Sequence, residues 1–333
     1  MRTIRLAVVG TGIAARDLHW PALRQLKKQY QVVAVTNRTR AKAEEFADHI
    51  GLARSHVHGS LPELLAREEI NAVALIVPPQ FNRSLVEVAL EAGKPVIAEK
   101  PIANTLDDAR AIADLSRRHG LPVLIAENFR YDDFLAQVKA LLDAGGIGEL
   151  FLVTWRFISA SDPGNKYANT GWRQAPQHPG GFLGDVNVHT VDGLRYLAGE
   201  IERVHCLAAD VRPWLGGYDT AIFNFQFVSG TAASLAFGIS AATQQPMLMS
   251  LYGTEGTIDA TWDRVTLRRP GQEDRVHKIA GPGSYVRDYE DFYRVLALGQ
   301  TPKMTLEDAT RDLAVVLAAV ESAETGAAVD VDA

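Results

Sequence analysis

The sequence predicts an α/β protein of two domains, a doubly wound parallel sheet followed by a domain built on an antiparallel sheet. Three observations predict it. The first 126 residues alternate short β-branched runs with helical patterns, the signature of βαβ units. Their strand candidates are apolar almost throughout, as strands covered by helices on both faces require. After Leu150 the texture becomes β-rich, and no helix of useful length separates the later runs Thr220 to Val228 and Thr231 to Phe237.

In chain order the first strands are expected at Ile4 to Val9, Val32 to Thr36, Ala72 to Val77, Val96 to Ala98 and Val123 to Ala126. Start signals mark the helices between them. Ser60-Leu61-Pro62-Glu63 and Thr105-Leu106-Asp107-Asp108 each set a hydroxyl three residues before a carboxylate, which reads as a capping box. In the second half Phe151 to Phe157 is a further strand, and Ser229-Gly230 reads as the turn that pairs the two later runs. Helices are expected at Gly181 to Leu197, Tyr285 to Leu298 and Leu306 to Ser322, the last capped by Thr305 with Asp308. The boundary falls between Ala126 and Leu150, bridged by a helix from Asp132 to Ala144. The domains are therefore read as 1–126 and 127–333, with the closing helix near 305–322 able to pack back on the first.

A chain of 333 residues is well above the usual span of one domain, which agrees with this division. Hydrophobic residues make up 47% and charged residues 22%, an ordinary globular composition that excludes disordered and collagen-like classes. The net charge of -6, with no clustered basic face, argues against a nucleic-acid partner. Cys206 stands alone, so no internal disulfide can form, and a buried inert thiol is the expectation. The N-terminal residues run straight into a strand pattern, and no apolar run reaches the ~18 residues of a membrane span, so a cytoplasmic setting without membrane partners is expected.

Gly10-Thr11-Gly12-Ile13-Ala14-Ala15 follows the first strand and opens a helical pattern, which matches the G-x-G-x-x-G/A dinucleotide fingerprint in its required context. Gly10 permits the tight turn, Gly12 lets a pyrophosphate approach the backbone, and Ala15 allows close helix packing. A helix N-terminus then faces the phosphates. The first sheet is thereby read as a Rossmann domain. Where an NAD enzyme usually carries a carboxylate after the second strand, this chain has Thr36-Asn37-Arg38-Thr39-Arg40. Arg38 or Arg40 can bond a 2′-phosphate, which favours NADP over NAD, while Asn37 can still serve a ribose hydroxyl.

Glu99-Lys100-Pro101 lies just past a strand end, where open α/β sheets bind ligands. In Gly180-Gly181-Phe182-Leu183-Gly184-Asp185-Val186-Asn187-Val188-His189-Thr190-Val191-Asp192, Asp185 and His189 are four apart and share a helix face. A carboxylate beside an imidazole suits removal of a proton from an alcohol. The other histidines, such as His56, His58 and His178, lack partners at ligand spacing, so no metal site is indicated.

Taken in order, the fingerprint, the E-K-P near residue 100 and the G-G-x-L-x-D-x-x-x-H-x-x-D resemble the glucose-fructose oxidoreductase, inositol dehydrogenase and rhizopine-catabolism (Gfo/Idh/MocA) family. Val77-Pro78-Pro79, Glu91-Ala92-Gly93-Lys94-Pro95 and Gly148-Glu149-Leu150 extend the resemblance over nearly the whole chain. It implies a Rossmann domain followed by an α/β domain with a large, mostly antiparallel open sheet, often used for dimer or tetramer contacts. The family's lysine, aspartate and histidine match Lys100, Asp185 and His189, and Ile13, Ala14, Pro78 and Glu99 join the cofactor-binding set of Gly10, Thr11, Gly12, Asn37, Arg38 and Lys100. Two departures stand out: Asn187 replaces a common glycine, adding an amide near the site, and Asn82 replaces a common histidine.

The implied chemistry moves a hydride between the nicotinamide and a sugar, polyol or related hydroxyl or carbonyl compound. His189 takes the hydroxyl proton, Lys100 stabilises the oxyanion and Asp185 orients both. Asn128, Arg130, Trp172 and Arg173 are the expected substrate contacts. Two rivals stay open, an NAD(P)-using glycosidase and a non-catalytic nucleotide sensor, the second having no need of the Lys100, Asp185 and His189 set.

Overall fold

The structure, a computed structural model, describes residues 3–162, 164–281 and 283–332. The chain separates into two compact units, 1–128 joined by 282–313, and 129–281 joined by 314–333. Helix Ser284–Leu298, placed by the sequence reading in the second domain, belongs to the first unit. Val286, Tyr289, Phe292 and Tyr293 on its apolar face complete a core shared with Leu6, Val8, Leu23, Val35 and Phe46. The crossing from first unit to second falls within the closing helix, Leu306–Thr325.

The first unit holds strands β1 (Ile4–Val9), β2 (Tyr30–Thr36), β3 (Val57–His58), β4 (Ala72–Leu75), β5 (Val96–Glu99) and β6 (Val123–Ala126). They form one sheet in the order β3-β2-β1-β4-β5-β6, and every neighbouring pair is parallel. Strands β4, β5 and β6 are buried at every residue, which is why they read as unbroken apolar runs rather than as alternation. The short edge strand β3 was not visible in the sequence, since two residues cannot display a period. The expected caps are present: Ser60 Oγ accepts from the Glu63 N–H at 3.3 Å and Thr105 Oγ1 from the Asp108 N–H at 3.2 Å. Strand order reverses between β1 and β4, and such a reversal opens a ligand crevice at the carboxyl edge.

The second unit holds β7 (Leu150–Ala160), β8 (Ile201–Ala209), β9 (Thr220–Phe227), β10 (Ala232–Ala241), β11 (Leu248–Gly253), β12 (Thr257–Ala260), β13 (Arg264–Arg268), β14 (Arg275–Lys278) and β15 (Val329–Asp330). Their order is β14-β13-β12-β11-β7-β10-β9-β8-β15. The hairpin through Ser229-Gly230 is present, with Phe225 opposite Ala233. The sheet is not wholly antiparallel, because β7 and β10 run parallel. Parallel neighbours need a long crossover, and the chain from 161 to 231, with its 17-residue helix Phe182–Ala198, supplies one. Along β9, Ala221, Phe223, Phe225 and Phe227 turn inward while the residues between them are exposed. That inward face packs on helices Asp133–Asp143, Phe182–Ala198 and the closing helix from Val315 onward. Among the described residues no helix is long and apolar enough to cross a membrane.

Candidate active site

In the first unit the first fingerprint glycine is required by geometry. Gly10 has φ +87°, and a Cβ there would lie 2.1 Å from the Ile76 carbonyl oxygen on the neighbouring strand connection. A Cβ on Gly12 would meet nothing within 4 Å, so open space lies over that backbone. Thr11 Oγ1 is buried with no hydrogen-bond partner, a polar atom waiting for one. A glycine cradle beside open space, an orphaned hydroxyl and a helix start at Ile13 together fit the pyrophosphate of a dinucleotide. The helix is regular except over Ala15–His19, where it widens into a π-turn.

The expected cofactor residues sit past the carboxyl ends of four adjacent strands. Asn37 and Arg38 follow β2, Gly10 to Ala14 follow β1, Pro78 comes after β4, and Glu99 with Lys100 closes β5. Arg40 is occupied by an i,i+4 bond to Glu44 at 2.8 Å, whereas Arg38 is exposed and in no ion pair among the described residues. Asn82 lies fully buried, and its Nδ2 donates to the carbonyl oxygens of Glu99, Pro101 and Ile102 at 2.9, 3.1 and 3.2 Å. The departure at 82 therefore serves the backbone on both sides of Lys100.

In the second unit Asp185 and His189 stand one turn apart on helix Phe182–Ala198, as their spacing implies. The glycine pair before it has no substitute: Gly181 has φ +57°, and a Cβ there would lie 2.5 Å from the Gly216 carbonyl oxygen. Asp185 is 4% exposed in the first turn, where the helix dipole favours an anion. Arg173 Nε donates to its Oδ2 at 2.9 Å. The guanidinium of Arg173 lies over the Trp172 ring at 4.0 Å, so Trp172 backs the arginine that grips the carboxylate. The His189 ring, partly exposed, is stacked on Phe129 with centroids 4.6 Å apart.

Three sequence readings change in detail. Asn187 is wholly buried and turned to its own helix, donating to the Leu183 carbonyl at 2.9 Å and accepting from Thr190 Oγ1 at 3.1 Å, so its amide does not enlarge the polar surface of the site. Arg130 directs its Nε to buried Asp192, at 2.9 and 3.2 Å from the two oxygens, and lies over the Tyr196 ring. Asn128 Nδ2 donates to Ser284 Oγ at 2.8 Å. The Arg173 to Asp185 bond and the Phe129 stack escaped the sequence reading because neither has a helical or strand spacing to announce it.

Comparison with known proteins identifies the family of both units. Residues 4–127 match the model of an oxidoreductase family with an NAD-binding Rossmann fold, and residues 135–259 match the C-terminal domain of the Gfo/Idh/MocA proteins. A solved oxidoreductase from Thermotoga maritima is 38% identical with a TM-score of 0.92, each chain covered over 99%. The chain belongs to the Gfo/Idh/MocA family. A Saccharomyces cerevisiae protein of uncharacterised role is 34% identical over 85% of this chain and 79% of its own. D-xylose 1-dehydrogenase (NADP(+)) 2 of Haloferax volcanii is 27% identical over 98% of this chain and 99% of its own. This Gfo/Idh/MocA member is thus an oxidoreductase that uses a nicotinamide dinucleotide, with Lys100 in the Rossmann unit and Asp185 and His189 in the other.

Proposed function

We propose that this protein is an NADP(H)-preferring dehydrogenase or reductase of a sugar or polyol, with Lys100, Asp185 and His189 at the reacting centre. The observation that carries the reading is the carboxyl edge of the first sheet, where fingerprint, Arg38, Pro78 and the Glu99-Lys100 segment follow adjacent strands. The D-xylose enzyme among its relatives supports a polyhydroxylated substrate and the NADP form of the cofactor. Gly10 to Ala14 would hold the pyrophosphate, Asn37 and Arg38 the adenosine ribose and its 2′-phosphate, and Pro78, Glu99 and Lys100 the nicotinamide end.

The nicotinamide, when bound, supplies the acceptor or donor of the hydride. His189, steadied by Phe129, takes the proton of the substrate hydroxyl, and the Lys100 ammonium stabilises the developing oxyanion. Asp185, aimed by Arg173, orients the hydroxyl between them. Arg173 and Arg130 act through Asp185 and Asp192, and Asn128 Nδ2 is taken up by Ser284, which leaves Trp172 as the expected direct substrate contact. Exposed Leu207 and Ile222, paired across β8 and β9, suit the surface of a homodimer or tetramer.

A panel of aldoses, polyols and ketoses, assayed with NADP and NAD separately by absorbance of the reduced nicotinamide, tests the substrate class. Lys100→Met should then lower turnover about a thousandfold with dinucleotide affinity kept. Near-normal turnover in that variant would eliminate the assignment. Arg38→Ala should cost about tenfold or more in kcat/KM for NADP while leaving NAD almost unchanged; an equal loss with both cofactors counts against the 2′-phosphate role.

A further inference from the structure

Behind Lys100 the first unit buries a chain of polar side chains of which the proposed function uses Glu99 alone. His19, in the π-turn after the fingerprint, is 2% exposed. Its Nε2 is 2.7 Å from Glu99 Oε1, and its Nδ1 is 2.9 Å from the hydroxyl of Tyr289 on helix Ser284–Leu298. The other oxygen of Glu99, Oε2, accepts the backbone N–H of Lys100 at 3.0 Å. Tyr30 Oη donates to the Tyr289 carbonyl at 2.6 Å, and the rings of Tyr285 and Tyr289 meet the imidazole edge-on. Three separate segments of chain therefore converge on a single backbone amide.

The proton direction follows from satisfaction of buried donors. Tyr289 is fully buried, and burial first, then the charges of Glu99 and Asp288, push its phenol well above the usual tyrosine range. It keeps its proton and must give it, and the acceptor in reach is His19 Nδ1. Nε2 then carries the ring proton and donates to Glu99. A buried carboxylate is costly to desolvate, and an apolar trio of like volume would pack the same space without that penalty. Retaining it here calls for a use, and its end point is the residue whose ammonium must be aimed.

We infer that Tyr289, His19 and Glu99 form a positioning relay that fixes the backbone at Lys100, and that Asn82 clamps the same segment from its carbonyl side. The inference rests on the catalytic reading of Lys100. Tyr289 and His19 need touch neither substrate nor cofactor; they act through Glu99 on the Lys100 amide.

The test has one arm that does not depend on activity. In the intact protein without substrate, nitrogen NMR of the histidines should show His19 in the Nε2–H tautomer, and amide exchange should show Lys100 strongly protected. A Nδ1–H ring or a rapidly exchanging Lys100 amide overturns the relay. In the kinetic arm, His19→Leu should lower kcat about tenfold or more with KM for the dinucleotide little changed, and His19→Gln, which keeps a donor toward Glu99, should recover most of the loss. Should the leucine variant fail to fold, Tyr289→Phe, which deletes one oxygen, replaces it, with a smaller fall in kcat and a less protected Lys100 amide expected. Wild-type kcat in His19→Leu or Tyr289→Phe, alongside an inactive Lys100→Met, sinks the relay and leaves the catalytic lysine standing. An active Lys100→Met sinks that reading instead, and the NMR and exchange arm then decides whether the network still holds the amide.

Discussion

The two sheets of this protein solve the same problem in opposite ways. In the first, strands β4 to β6 are buried on both faces, so the side-chain alternation inherent in a strand carries no solvent signal. In the second, β9 alternates strictly, with Phe223 1% exposed and its neighbour Ile222 42% exposed. Covered sheets place their chemistry at strand ends, because every face is occupied. A one-sided sheet instead supports a helix on its covered face, and the proposed chemistry falls on that helix, at Asp185 and His189. The contrast explains why a motif at a strand end and a motif at helical spacing can belong to one enzyme.

Glycine gives the largest expected difference between the two regions. Gly10 and Gly230 have nearly the same backbone, φ +87° and +86°, but a Cβ at 10 would overlap the Ile76 carbonyl whereas one at 230 meets nothing within 4 Å. Gly10→Ala should cost more than about 4 kcal/mol in denaturant unfolding and abolish dinucleotide binding, while Gly230→Ala should cost only the left-handed backbone, about 1 kcal/mol. Equal losses in the two variants would mean that crowding at the β1 turn is not what demands glycine there.

Burial gives the next difference. Phe223→Ala should cost about 3–5 kcal/mol and Ile222→Thr no more than about 0.5 in the isolated protomer, since the second changes a face exposed there. In the covered sheet neighbours should not differ in this way: Val8→Thr and Val9→Thr, at 1% and 6% exposure, should each cost about 1–3 kcal/mol for a buried hydroxyl. Urea midpoints of the four variants decide it. A large loss at Ile222 would show that the outward face is covered in solution, and would sharpen the case for association through it.

The same contrast governs what the sequence could disclose. The parallel strands, the fingerprint, the capping residues and the Asp185 to His189 spacing were legible because each is a local pattern with one physical cause. Strands β11 to β14 were not singled out, and β7 beside β10 was not expected to run parallel, because strand partners are chosen over distances that no local period records. Helix Ser284–Leu298 was recognised as a helix and assigned to the wrong unit for the same reason: amphipathicity shows that a face is buried without saying against what. At the proposed site, the position of Lys100 just past a strand end was legible in the sequence. His19 was not, since a lone histidine in a helix ordinarily reads as a satisfied core residue, and only the Tyr289 and Glu99 contacts give it a direction.

The smallest effect probes how dry the covered side of the second sheet is. Cys206 on β8 is 0% exposed in the core that includes Phe223 and Phe225, and burial pushes its thiol up to about 12. The folded protein therefore retains this proton at pH values where the unfolded chain, with its ordinary value of 9.0, releases it. More protons bound in the folded state means that stability is full below pH 9.0 and declines as pH rises toward 12. Measured against Cys206→Ala, which cannot titrate, the wild type should lose about 1 kcal/mol between pH 9 and 10. The native thiol should also resist alkylation at pH 8 and react once denatured, because only the thiolate attacks. A flat difference in stability, or prompt labelling of the folded protein, would show water reaching the inner face of β8 and would break the distinction between the wet and dry sides of this sheet.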